Sequence, residues 1–327
     1  MQKMKVRQVD ILGKYSATIL TAGVLIYCFF GYLFSNPFSY LMLGTTLLLS
    51  LLLVVIRSKG EPISCDTKLP SMLIIVYVIV FLFPQAIGIP DSDGANSAVL
   101  MITVLMIGVT QLHMHSNQAL IVKLILVFSS VHAISTVISF AFPGFFTRNI
   151  LPLVPDHVSE RIELFLNGQL YPGITNQTGR NSVYLACGIC VLAASLIANR
   201  KRSSLKRWIL MLLFGGALLL TAKRGTFLAI IVAILIAAII IPKVKTYKKL
   251  YRILIAIVGF SLIAYIFTKF VPDTAARLLR FIPTNGVDIT SGRSSLFPEA
   301  FALFLEKPLF GWGFGYFSRV NDISAHN

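Results

Sequence analysis

Residues 118–142 read QALIVKLILVFSSVHAISTVISFAF, a run in which Lys123 and His132 are the only ionisable side chains. A helix needs about 17–25 predominantly apolar residues to cross the ~30 Å hydrocarbon layer of a bilayer. The run therefore predicts a transmembrane helix, and it has company. Comparable runs lie at Tyr15–Phe34, Phe38–Ile56, Leu69–Ile89, Ser97–Leu112, Ser182–Ala198, Trp208–Thr221, Thr226–Ile241 and Ile253–Val271. The first is no cleavable signal, because no small-residue cleavage site follows it and the next run begins four residues later. The expected fold class is an all-α polytopic integral membrane protein with about nine transmembrane helices, residues 1–327 forming one membrane domain.

Composition agrees. Of 327 residues, 56% are hydrophobic and 13% charged, and the mean hydropathy is +0.80. Soluble domains carry about 25% charged residues, and no water-facing core absorbs this much apolar surface. A soluble enzyme, a disordered tail and a disulfide scaffold are excluded. The 29 Lys+Arg against 13 Asp+Glu give a net charge of +16. In a membrane chain such an excess fixes orientation rather than binding nucleic acid, so no nucleic-acid partner is expected. Cys187 and Cys190 have CxxC spacing inside an apolar run and read as small packing residues.

Basic residues mark one face. Lys3, Lys5, Arg7 and Lys14 precede the first run, Arg57, Lys59 and Lys68 follow the second, and dense clusters follow the sixth (Arg200–Arg207) and the eighth (Lys243–Arg252). That face is expected to be cytoplasmic, with the N-terminus inside. Two long segments then fall outside: 143–181, an outer loop, and 272–327. The second contains Ser294–Lys307, read as an amphipathic helix lying on the membrane, with Pro298 in its first turn and Pro308 ending it.

The outer face carries cations that need an explanation. Thr221-Ala222-Lys223-Arg224-Gly225 forms the turn between two runs that are short for a full crossing, so Lys223 and Arg224 either snorkel or face an anion. Ser291-Gly292-Arg293 leads into the surface helix, and Arg277 and Arg280 stand three apart on a short predicted helix. Lipid phosphate is the simplest partner for these last groups. Arg180 lies in the outer loop beside Asn176-Gln177-Thr178, a common chance match to a glycosylation sequon. His113 and His115 lack metal-site spacing, and His132, mid-run, reads as a helix-to-helix hydrogen bonder rather than a proton relay. His326, near the end of the outer segment, means little by itself.

Taken together, these elements resemble the O-antigen ligase and O-antigen polymerase family. The run Thr221–Gly225 is similar to its Ser/Lys-Arg-Gly element. Arg293, then Glu299-Ala300, then Lys307-Pro308-Leu309-Phe310-Gly311-Trp312-Gly313 is similar to its second element, and Ala325-His326-Asn327 to its His-Asn. Lys223 departs from the Ser common there. The resemblance covers about residue 170 onward. It implies a GT-C-like bundle in the bacterial cytoplasmic (inner) membrane, with its active face outward. The implied enzyme is a metal-independent glycosyltransferase without a cofactor. Its partners would be undecaprenyl-pyrophosphate-linked glycan, membrane lipids and other polysaccharide-assembly membrane proteins. Arg224 and Arg293 match the pyrophosphate-binding arginines and His326 the base; Lys223, Arg180, Arg277 and Arg280 are expected to assist in binding substrate.

The chemistry is consistent with that. Transfer from a lipid diphosphate needs a base for the acceptor hydroxyl and neutralisation of the departing diphosphate. Histidine titrates near neutral pH, and guanidinium forks bind phosphate oxygens bidentately. No Asp-rich motif for Mg²⁺ appears in the outer segments. The leading expectation is a polymerase joining lipid-linked repeat units into O-antigen, capsule or exopolysaccharide, with Arg224 and Arg293 converging on one cavity. Alternatives are a ligase passing the finished glycan to a terminal acceptor, or a flippase, which would carry more ionisable residues at mid-membrane depth. Family chains continue past the His-Asn. The resemblance therefore also implies that a chain stopping at Asn327 keeps the arginine site but polymerises weakly or not at all.

Overall fold

A computed structural model describes residues 18–34, 118–198, 205–240, 293–308, Trp312 and Tyr316–Asn321, with scattered positions between 38 and 105 and at 265 and 269. Among these every regular element is helical. The chain divides into two compact units, one of Met1–Ile121 with Thr284–Asn327 and one of Val122–Pro283.

In the first unit, α1 (Thr18–Leu33) buries Leu20 and Val24, one turn apart, against Cys28 and Leu49. Its last turn tightens to a 3₁₀ helix over Gly31–Leu33.

The second unit opens with α2 (Gln118–Ala141), whose two faces are inverted relative to a water-soluble helix. Ser129, His132, Ser135, Thr136 and Ser139 are buried, whereas Val122, Val127, Val131 and Ile134 are exposed. In water this arrangement would waste apolar surface and strand polar groups. Lipid reverses both costs, because tails solvate the valines and the hydroxyls find partners inside the bundle. The inverted pattern fits a bilayer as the solvent.

After α2 the chain makes one helical turn (Pro143–Phe145), a π-helical stretch (Phe146–Ile150) and a 3₁₀ turn (Leu151–Leu153), then enters α3 (Asp156–Asn167). The 143–181 segment is thus largely helical rather than an irregular loop. Pro152 and Pro155 deny it a continuous helix, and Phe146, Leu151, Val154, Val158 and Ile162 give it a buried side. The C-terminus of α3 closes as a Schellman motif. Gln169 is left-handed at φ +53°, its N–H donates to the Leu166 carbonyl at 2.9 Å, and Leu170 N–H to that of Phe165 at 2.9 Å.

Helix α4 (Thr178–Ala198) is the centre of the unit and starts four residues earlier than its apolar run suggests. Leu185, Ile189 and Leu192 pack with Ala133 of α2, with Phe214, Ala217 and Leu218 of α5 (Leu205–Leu220), and with Ile230 of α6 (Arg224–Ile240). Gly188 sits where α2, α4 and α5 meet: a methyl there would lie 2.6 Å from Phe214 Cε2 and 2.7 Å from Ser129 Cβ. Ser129 Oγ also donates to the Tyr184 carbonyl at 2.8 Å. Cys187 and Cys190 are free thiols, and Cys190 packs against this core.

Helix α5 begins inside the basic flank, at Leu205-Lys206-Arg207, so the short limb is extended on that side. With 16 and 17 residues, α5 and α6 measure about 24 and 26 Å at 1.5 Å per residue, still under the ~30 Å layer. Helices Ala119–Ala141 and Thr178–Leu196 are the two described segments long and apolar enough to cross. The expected run at Ile253–Val271 lies almost wholly outside the described residues, as do those between residues 38 and 112.

In the first unit again, α7 spans Arg293–Glu306, within one residue of the expected surface helix. Because it starts at Arg293, Pro298 falls in its second turn rather than its first. The ring there removes a donor that the Ser294 carbonyl would otherwise receive. Phe297, Phe301, Phe304 and Leu305 form an exposed apolar stripe, with Glu299 and Glu306 on the other side. Past its end, Trp312 Nε1 donates to the Leu303 carbonyl at 3.1 Å. Its ring stacks on Tyr316 of α8 (Tyr316–Asn321), and Lys307 Nζ lies 3.6 Å from its centroid.

Candidate active site

The site forms where the first turn of α4 meets the turn between α5 and α6. Polar side chains on α2 prepare the ground. Gly173, at φ +61°, brings the chain entering α4 so close to α2 that a methyl there would lie 2.6 Å from Ser135 Oγ and 2.8 Å from Thr136 Oγ1. The Ile174 N–H points to Ser135 Oγ at 3.4 Å, and the Thr175 hydroxyl satisfies the Pro172 carbonyl at 2.8 Å. Irregular backbone at such depth survives where side chains satisfy it. Tyr171 packs edge-on to Phe140 at 5.2 Å, and burial pushes its phenol above the ordinary value, so it stays protonated.

Helix α4 then begins at Thr178, and two adjacent side chains in its first turns reach opposite neighbours. Asn181 Nδ2 donates to Thr136 Oγ1 of α2 at 2.8 Å, while that hydroxyl donates to the His132 carbonyl at 2.7 Å. Ser182 Oγ and Thr226 Oγ1 of α6 share a hydrogen bond of 2.8 Å. His132 is fully buried, its ring 4.6 Å from that of Tyr184 on α4.

Three cations lie on the segments that form this junction. Arg180 is half-buried, with Nη1 donating to Asn176 Oδ1 at 3.1 Å. Lys223 comes from the α5–α6 turn, where Ala222 is left-handed at φ +55°. Its chain runs beside Gly179: a methyl on Gly179 would lie 3.6 Å from Lys223 Cε and 4.0 Å from Nζ. Arg224 is the first residue of α6 and half-buried. Helix N-termini carry partial positive charge and unpaired amides, and here two of them meet with three cationic side chains. Such a place attracts an anion, and forked guanidinium groups suit phosphate oxygens. Among the described residues no three His, Cys, Asp or Glu side chains gather as metal ligands.

The Lys223 side chain thus runs beside Gly179, the neighbour of Arg180, and Arg224 follows it at the start of α6. Arg293 opens α7 in the other unit, and Arg277, Arg280 and His326 lie outside the described residues. Thr136, Gly173, Asn181, Ser182 and Thr226 were not singled out in the sequence, although one signal was available. Ser129, His132, Ser135, Thr136 and Ser139 recur at three- and four-residue steps through an apolar run, which marks a polar face toward the bundle.

Residues 209–326 match the family model described as O-antigen ligase. The chain carries an O-antigen ligase family domain. No curated protein and no solved structure matches. The matched region takes in most of α5, the Lys223-Arg224 turn, α6, α7, α8, Arg277, Arg280, Arg293 and His326. Arg180, Asn181 and Ser182 precede it. The fold nonetheless ties them to its first turn through Gly179 and Thr226.

Proposed function

We propose that this chain is a membrane glycosyltransferase that takes glycan from undecaprenyl diphosphate, and that Arg180, Lys223 and Arg224 hold the departing diphosphate. The observation that supports the reading is the approach of Lys223 to Gly179 together with the Ser182–Thr226 bond, which brings together the two helix starts that carry Arg180 and Arg224. In the reaction an acceptor hydroxyl attacks the anomeric carbon and loses its proton to His326. The bond from that carbon to the diphosphate oxygen breaks, and the electron pair leaves with the diphosphate. Fixed cations in a water-poor site lower the energy of that developing charge without a divalent metal. From the resemblance alone, Arg293, Arg277 and Arg280 are also assigned to binding the diphosphate. The domain is GT-C-like and faces outward from the bacterial inner membrane.

The product we assign is a lengthened polysaccharide. Ligation of the finished glycan to a terminal acceptor is the second reading, favoured by the description of the matching family. The test incubates lipid-linked repeat units with the purified protein, and with a version lengthened by a related C-terminal segment, each with and without EDTA. A ladder of longer glycans, undiminished by EDTA, is the expected outcome. A single product that appears only when a terminal acceptor is added would favour the ligase. Failure of both versions, or loss of activity in EDTA, would overturn the assignment.

A further inference from the structure

Successive residues of a helix are turned by about 100°, so the bond that joins α4 to α6 also fixes which way Arg224 faces. Thr226 lies on the side of α6 that meets α4, through its 2.8 Å bond to Ser182. Phe227, Ile230 and Ile234 carry that side on into the apolar core. Arg224, two residues before Thr226, stands about 200° around the axis and so belongs to the other side. That side continues through Leu228, Val232 and Leu235, all within about 80° of Arg224 and all exposed. A half-buried guanidinium thus heads an uncovered apolar stripe about 16 Å long. We propose that this stripe is the track for the isoprenoid tail of the donor lipid. Arg224 holds the diphosphate, and Leu228, Val232 and Leu235 line the path of the tail attached to it. The inference rests on reading Arg224 as a diphosphate ligand, and adds where the rest of the substrate lies.

A polyprenyl tail is joined to its diphosphate by a single ester oxygen, so its first isoprene units lie beside whatever holds the phosphate. On the α4 side of α6 there is no room for them, since Leu185, Phe214 and Leu218 fill that core. The uncovered side has room and suitable chemistry: from Gly225 to Ile240 the helix has no ionisable side chain. Apolarity alone does not select the donor, because phospholipid tails are as apolar as leucine and touch every outward helix face. The cation at the head of the stripe makes the selection. A diphosphate carries more charge than the phosphodiester of a phospholipid, and Lys223 precedes Arg224 to meet it. Affinity is therefore set at the head, and the stripe sets where the tail goes. The donor then enters sideways from the bilayer, without its tail passing through water.

The test uses the purified protein in phospholipid nanodiscs and a polyprenyl diphosphate carrying a diazirine on its first isoprene units. After irradiation, label should fall on α6 at Leu228, Val232 or Leu235. Excess undecaprenyl diphosphate should lower that label at least about tenfold, and Arg224→Gln should lower it as much. Leu228→Trp fills the track and leaves Arg224 in place. It should weaken binding of undecaprenyl diphosphate about tenfold and leave binding of inorganic pyrophosphate unchanged. Label on α6 that undecaprenyl diphosphate does not displace would make the stripe an ordinary lipid-facing surface and overturn the proposal. Unchanged binding of undecaprenyl diphosphate by Leu228→Trp would also overturn it. Displaceable label elsewhere, lost in Arg224→Gln, would overturn the track and leave the diphosphate site standing. If displaceable label is the same in Arg224→Gln, the site reading fails and this inference with it.

Discussion

Arg224 shows how much a single residue's chemistry decides. A lysine there would keep the charge but lose the planar fork that meets two phosphate oxygens at once. Arg224→Lys and Arg180→Lys are each expected to lower donor affinity by about tenfold, measured as the concentration of lipid-linked donor giving half-maximal transfer. Unchanged values in both variants would remove the clamp. Gly173 makes a different point. A methyl at its φ of +61° would press within 2.8 Å of both Ser135 Oγ and Thr136 Oγ1, so Gly173→Ala should destabilise the second unit by about 2 kcal/mol. Thermal unfolding in detergent measures that loss. The cations were legible in the sequence, because Lys and Arg beside apolar runs announce themselves. Gly173 was not, since a left-handed glycine against another helix leaves no mark in the local pattern.

Helices were legible to the degree that their ends obeyed local rules. A helix was expected at Ser294–Lys307 and one occurs at Arg293–Glu306, because apolar periodicity before Lys307-Pro308 is a strong signal. One residue of shift was enough to move Pro298 into the helix interior. For α4 the apolar run began at Ser182, whereas the helix begins at Thr178, its first turn being polar and held by tertiary bonds to Thr136 and Thr226. Hydropathy has no access to such bonds. The helical content of 143–167 was hidden for another reason: prolines break it into short pieces, each too brief for a period to emerge. On α7, Glu299 lies opposite the exposed Phe297, Phe301 and Phe304. If that stripe rests on lipid outside the cell membrane, a Glu299→Cys variant should react with a membrane-impermeant thiol reagent added from the outer side. Reaction from the cytoplasmic side alone would contradict the orientation.

For the whole molecule, the sign of the hydrophobic pattern is what separates a membrane bundle from a soluble one. Buried Ser129, Ser135, Thr136 and Ser139 opposite exposed Val127, Val131 and Ile134 fit a bilayer and would fail in water. The proposed junction is only partly sheltered, with Arg180 and Arg224 half-buried and Lys223 exposed. The most direct measurement is the affinity of the purified protein in nanodiscs for undecaprenyl diphosphate, compared with a variant carrying Arg180→Gln, Lys223→Gln and Arg224→Gln together. Our account predicts a loss of at least about 100-fold, from three charge-assisted contacts, with the variant still folded. Equal affinity in the two proteins would contradict it.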